Sequence, residues 1–166
     1  MRQKLIGVLG MVIIGAGAYA ATLLATPANA GFRGTTLAAA RFDELNLHTH
    51  TVPAFWQSKL QTKGLSDLYI QSNVWAPGGS TGWHTHPGPS LIIVTAGTVT
   101  GYEGDDPSCT PHVYAQGMGF VDPGGGHVHV LRNEDSTIEA RTIAVQLIPA
   151  AATRRIDAPA PGNCPF

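Results

Sequence analysis

Residues 78–97 read GGSTGWHTHPGPSLIIVTAG and contain the most informative pattern in the chain. His84 and His86 stand two positions apart, and side chains at that spacing on a β-strand point to the same face. Two imidazoles can therefore converge on one metal ion. Such a pair also arises by chance in a chain with 7 histidines, since His48 and His50 form a second one.

A second pattern lies further along the chain and runs through Gly117, Pro123, Gly126, His129 and Asn133. This order resembles the second motif of the cupin family, with one extra residue in the glycine run after the proline. Residues 78–97 resemble the first cupin motif, whose glycines and His-x-His fall on Gly78, His84, His86 and Gly97. The resemblance implies an all-β chain with a single cupin barrel, a double-stranded β-helix or jelly roll, followed by a Pro-rich C-terminal tail.

The resemblance also implies a ligand set, in which His84, His86 and His129 hold one divalent transition metal ion. Ser90 occupies the position where the family has a glutamate, and serine cannot act as a strong anionic ligand. His127 precedes His129 by two residues and shares its face if the strand is regular, whereas a glycine bulge would turn it towards the rim. Ser90 and His127 are therefore candidates for an extra ligand or for a contact beside the ligands.

The identity of the metal stays open between manganese, iron, nickel, copper and zinc. A chain that folds outside the cytoplasm meets the metals available there, and the stability order of the divalent ions favours copper or zinc. The family resemblance favours manganese, iron or nickel instead. Three neutral ligands would leave the charge of a dication uncompensated, which favours an anionic small molecule as the partner.

Two other patterns suggest nucleophilic chemistry and are set aside. Residues 78–82 spell Gly-x-Ser-x-Gly, but that motif needs a helix after the serine, and residues 83–87 cannot supply one. Cys109 with His112 could form a thiol nucleophile, yet a disulfide between Cys109 and Cys164 uses the same cysteine in an exported chain. Glu103, Asp105 and Asp106 are expected to face solvent, so no acid-base pair stands out in the motifs.

The first residues predict export. Arg2 and Lys4 precede an apolar run over residues 5–24, and Ala28-Asn29-Ala30 offers a small-x-small cleavage pattern, with an uncleaved anchor as the alternative. We expect a soluble mature protein that begins at Gly31 and is secreted or lies in the periplasm or cell envelope. The predicted organisation is a signal peptide at 1–30, a flexible lead-in within 31–60 that packs on the barrel, the barrel at 61–149 and the tail at 150–166.

The composition limits the partners. Lys and Arg number 10 against 11 Asp and Glu, with no basic stripe, so nucleic acid is not an expected partner and a small molecule is. A homodimer is left open. The function favoured is a metal-dependent enzyme on a small molecule, such as a three-histidine dioxygenase-like oxidoreductase. The alternatives are a non-catalytic barrel that binds a small ligand and a structural role in the cell envelope.

Overall fold

The computed structural model describes residues 24–53 and 55–166, and this part of the chain contains strands and no helix. The strands are β1 (Phe32–Phe42), β2 (Asn46–His50), β3 (Gln57–Gln61), β4 (Ser66–Trp75), β5 (His84–Thr85), β6 (Ser90–Ala96), β7 (Thr98–Glu103), β8 (His112–Ala115), β9 (Gly119–Asp122), β10 (His129–Arg132), β11 (Ala140–Pro149) and β12 (Ile156–Asp157). Low charge and frequent Gly and Pro suit such a turn-rich chain.

The strands form two five-stranded antiparallel sheets, one in the order β1-β4-β11-β6-β9 and the other in the order β12-β5-β10-β7-β8. Strands β2 and β3 make a separate hairpin. Pairing that alternates between distant parts of the chain is what a jelly roll requires. The prediction of an all-β jelly-roll barrel is confirmed.

Strand β6 is buried on one face only. In β6, Ser90, Ile92 and Val94 point inward, while Leu91 and Ile93 are exposed. An antiparallel sheet commonly keeps one face in solvent, so an apolar run does not by itself indicate burial on both sides.

One apolar cluster joins the two sheets, and a second joins the C-terminal tail to the second sheet. Trp75 packs with Val99 and Ala140, and Trp83 packs with Val130 and Ala158. Burying a large aliphatic or aromatic side chain contributes about 1.5–3 kcal/mol, so each cluster is a substantial part of the folding free energy.

The segment expected to be a flexible lead-in is instead an edge strand. Strand β1 pairs with β4 from Phe32–Trp75 to Phe42–Ser66, and Arg41 Nε donates to Asp67 Oδ1 at 2.7 Å near one end. The side chains of β1 are largely exposed, and the strand gains its stability from backbone hydrogen bonds to a neighbouring strand, so its sequence carries no alternating apolar pattern that would predict it.

The C-terminal tail packs on the second sheet and adds a strand to it. Strand β12 pairs with β5, and the Ala158 amide donates to the Trp83 carbonyl at 2.9 Å. The disulfide predicted between Cys109 and Cys164 is present. The tail is thereby joined both to the strand that carries His84 and to the loop after β7.

Residues 1–23, which contain all but the last residue of the apolar run in the predicted signal peptide, lie outside the described residues. Residues 24–30 are described and contact the barrel. Trp83 N donates to Thr26 Oγ1 at 2.9 Å, and the Asn29 side chain bonds Ser80 N at 2.9 Å and Gly78 O at 3.1 Å. Among the described residues, no helix has the length and apolar character needed to cross a membrane.

Candidate metal centre

Three histidines meet between the two sheets. His84 lies on β5, His86 follows that strand, and His129 begins β10 directly opposite His84. The ring centroids are 4.8 Å apart for His84 and His86, 4.4 Å for His84 and His129, and 5.7 Å for His86 and His129. One ligand atom from each residue lies within 4.8 Å of the others. The structure therefore brings together the three residues that the two motifs indicated.

Local backbone features place these rings. Gly82 has φ +67°, and a Cβ at this position would lie 2.1 Å from the Thr26 carbonyl oxygen, so only glycine fits two residues before His84. Pro87 follows His86 and lacks an amide proton, which agrees with the end of β5. The rings of His84 and His86 both lie beside the ring of His129.

The outer nitrogens of two imidazoles are fixed by backbone carbonyls. His84 Nδ1 lies 2.9 Å from the Gly82 oxygen, and His86 Nδ1 lies 2.5 Å from the Arg154 oxygen. A carbonyl can only accept, so each Nδ1 carries the proton and each Nε2 keeps a free lone pair. A hydrogen bond from the far ring nitrogen is the usual support of a metal-binding histidine.

The environment keeps the cluster uncharged. Burial, together with the neighbouring His129 and Arg155, lowers the pKa of His84 to about 2. Burial lowers the pKa of His129 to about 4, although Asp122 opposes this, and burial also lowers the pKa of His86. At pH 7 all three imidazoles are neutral, which is the form that binds a metal ion.

Asp122 also faces this cluster, and the sequence analysis did not identify it. Its Oδ2 lies 3.8 Å from His86 Nε2, and its Oδ1 lies 3.8 Å from His129 Nδ1. The side chain is 5% exposed. The available signal was its place at the end of β9, immediately before Pro123 of the second motif.

Ser90 lines the same cavity and is buried. It is the direct cross-strand neighbour of Asp122, because β6 and β9 are antiparallel and in register at this pair. The hydroxyl of Ser90 thus faces the site from the position where the family has its glutamate.

His127 lies at the rim of the site rather than among the three central rings. Its Nε2 is 3.2 Å from Glu103 Oε2, and the three preceding glycines, residues 124–126, all have positive φ. The glycine-rich turn therefore gives His127 a partner outside the cluster. Glu103, expected to face solvent, is partly buried, and that burial raises the pKa of its carboxyl. Asp105, in contrast, is 81% exposed.

A cavity of about 260 Å³ adjoins the three histidines. Phe32, Trp75 and Ile92 form part of an apolar wall, while polar atoms come from Gln71, Asn73, Gln146, Arg154 and Arg155. Arg154 Nε donates to Gln146 Oε1 at 3.1 Å, and its guanidinium lies 4.2 Å from the centroid of the Tyr69 ring. The two arginines come from the tail, and no sequence pattern marked them because their contacts are distant along the chain.

The other histidines lie elsewhere. His48 and His50 are exposed on the β2–β3 hairpin, and His112 is exposed on β8. Ser80 is followed by the strand with His84 instead of a helix, and its Oγ accepts from Gly82 N at 3.1 Å. Cys109 is in the disulfide and has no free thiol.

Two buried atoms test whether these residues fit a metal ion. His129 Nδ1 and Asp122 Oδ2 have no hydrogen-bond partner among the described residues. Unpaired buried polar atoms are costly, typically by about 1–3 kcal/mol each. A cation between the rings and the carboxylate would satisfy them, so the donor set fits the ion that the resemblance implies.

Comparison with known proteins gives a match to the cupin domain over residues 74–146. No curated protein sequence matches the chain. Among solved structures, a cupin-like protein of Thermotoga maritima is 22% identical, with a TM-score of 0.47, and the alignment covers 56% of this chain and 65% of that protein. A conserved protein of unknown function from Streptococcus pyogenes is 21% identical, with a TM-score of 0.43 and coverage of 51% and 67%.

An oxalate oxidase is 22% identical, with a TM-score of 0.42, over 50% of this chain and 46% of its own. The chain thus spans less than two thirds of the Thermotoga protein and less than half of the oxalate oxidase. The family match covers both histidine motifs and lies within the two antiparallel sheets described above. Residues 74–146 therefore form a cupin domain.

Proposed function

We propose that this protein binds one divalent transition metal ion through His84, His86 and His129 and presents it to a small molecule in the adjoining cavity. The observation that carries the proposal is the orientation of the rings. Two of them donate Nδ1–H to backbone carbonyls, which leaves Nε2 free on the side of the cluster. A set of three imidazoles leaves coordination positions open, as catalytic sites do.

Enzymatic turnover is the form of this function that we favour, in an oxidoreductase of the three-histidine dioxygenase-like kind. A bound dication would act as a Lewis acid on a substrate oxygen or on water. The chain's own residues would hold and orient the substrate. Arg154, which has no ion-pair partner among the described residues, supplies positive charge at the cavity, whereas Arg155 is paired with Asp157 at 2.6 Å. The amides of Gln71 and Gln146 also line the cavity. These groups support a small, oxygen-rich, anionic substrate.

The His127–Glu103 pair supports turnover over simple binding. Its two side chains approach to 3.2 Å at the rim of the site, and both are partly exposed. An imidazole beside a carboxylate can hold or pass a proton, which a passive ligand-binding barrel does not require.

Metal analysis of protein purified without an affinity tag tests the proposal. We expect about one equivalent of metal in the wild type and a loss of most of it in His84→Ala, His86→Ala and His129→Ala, because removing one of three ligands disrupts the site. His48→Ala and His50→Ala are the matched controls and should keep the metal. A folded His129→Ala protein with unchanged metal content would refute the assignment.

We also propose that the chain is exported and works outside the cytoplasm. The apolar N-terminal segment and the disulfide support this, because disulfides persist in oxidising compartments. The intact mass of protein recovered after export tests it.

A further inference from the structure

Strand β6 lacks the glutamate of the family motif, but a carboxylate lies beside that position on the neighbouring strand. Ser90 and Asp122 are paired across antiparallel strands, so their side chains leave the sheet on the same face and side by side. Both line the cavity beside the histidines. The carboxylate of Asp122 can therefore reach the space that a glutamate at position 90 would fill.

The surroundings of Asp122 contain no partner for its charge. The nearest histidine nitrogens, on His86 and His129, lie at 3.8 Å, beyond hydrogen-bond distance. Oδ1 accepts from Gly124 N at 2.9 Å, but Oδ2 is buried with no hydrogen-bond partner among the described residues. No lysine or arginine in that part of the chain forms an ion pair with it. A buried carboxylate without a cation is strongly disfavoured.

We propose that Asp122 is the anionic ligand of this centre and replaces, from the neighbouring strand, the glutamate that Ser90 cannot supply. The inference rests on the proposed function, since it assumes an ion at the three histidines. The site is then three nitrogens and one oxygen, with a net charge of +1 for a dication. Asp122 Oδ2, which faces His86 Nε2, would bind the ion, and Oδ1 accepts the hydrogen bond of the Gly124 amide.

Asp122 also has a structural role, which the test must separate from metal binding. Gly124 has φ +65°, and a Cβ there would lie 2.2 Å from the Gly88 oxygen, so the turn after β9 is tightly packed. Asp122→Asn keeps an oxygen that can accept from Gly124 N but removes the negative charge. Asp105→Asn is the matched control, because this carboxylate is exposed and lies 4.0 Å from His127.

The experiment measures Co²⁺ and Zn²⁺ affinity by chelator competition, together with the visible spectrum of the Co²⁺ protein. We expect Asp122→Asn to weaken binding by at least about tenfold, with a changed Co²⁺ spectrum, while Asp105→Asn stays like the wild type. If Asp122→Asn keeps the wild-type affinity and spectrum while His129→Ala loses metal, the role of Asp122 is overturned and the three-histidine centre stands. Retention of metal in His129→Ala would overturn the three-histidine centre itself.

Ser90→Glu completes a double-mutant cycle. Its effect in the wild-type background can be measured even if Asp122→Asn does not fold. If Asp122 is the ligand, Ser90→Glu in the wild-type background should raise affinity by no more than about threefold, since one carboxylate is already bound. In the Asp122→Asn background the same change should restore most of the lost affinity. A gain of about tenfold or more from Ser90→Glu alone would show that the carboxylate position is vacant and would contradict the proposal.

Discussion

At the level of single side chains, two of the three imidazoles, those of His84 and His86, are directed by a hydrogen bond on the nitrogen that faces away from the cluster. The carbonyl that fixes His84 is two residues away, whereas the carbonyl that fixes His86 belongs to Arg154 in the C-terminal tail. The first contact follows from local chain geometry. The second exists only because the tail folds back over the barrel.

His127 differs from the three central histidines in its partner, so its replacement should have a different effect. We expect His127→Ala to lower metal affinity by less than about tenfold, because its Nε2 is paired with Glu103 at the rim. His129→Ala provides the scale for full ligand loss. The measurement is chelator competition with the same metal, and an equal drop in both variants would make His127 a ligand.

At the level of strands, the site is assembled from segments that are far apart in sequence. His84 lies on β5, His86 lies just after it and His129 lies on β10. Asp122 lies at the end of β9, and β12 pairs with β5. Each of these strands is short, with 2 to 4 residues, and none would be stable alone. Strand β9 belongs to the sheet that contains the long in-register pair β4–β11, whereas β5, β10 and β12 belong to the other sheet, so the site depends on how the two sheets pack.

The disulfide should stabilise β12 and, because β12 pairs with β5, the site as well. Cys164→Ser should lower the free energy of unfolding by up to about 4 kcal/mol, the entropy of closing a loop of 55 residues. It should also weaken metal binding, because looser tail packing frees the Arg154 carbonyl from His86. Thermal unfolding and metal titration of the variant measure the two effects.

Cys109→Ser is the matched control, since it breaks the same bond at the other end. Equal losses in both variants are expected. Metal affinity equal to the wild type in both would show that the tail is held over His86 without the disulfide.

At the level of the whole molecule, residues 25–26 meet the C-terminal tail beside the site. Ala25 bridges to Pro159, and Thr26 Oγ1 donates to the Ala158 carbonyl at 2.9 Å. Residues on both sides of the predicted cleavage position thus contact the barrel. Cleavage after Ala30 would remove the hydrogen bonds of Thr26 and Asn29.

We predict that the exported protein begins at Gly31, as the Ala28-Asn29-Ala30 pattern indicates. Intact-mass measurement with and without reduction gives the first residue and the state of Cys109 and Cys164. A mass that retains residues 24–30 would contradict this cleavage site and would agree with their contacts on the barrel. A chain that starts at Gly31 should also unfold at a lower temperature than one that keeps these residues, because it lacks those hydrogen bonds.

The sequence by itself determined the fold class, the three converging histidines and the only cysteine pair. Motif spacing and strand alternation are local properties, and two cysteines allow one pairing. Only the tertiary structure decided that β1 is an edge strand, that Asp122 stands beside Ser90 and that Arg154 holds His86. Sheet register and the packing of the tail bring these residues together across 24 to 68 positions of sequence, and local patterns carry no record of such distances.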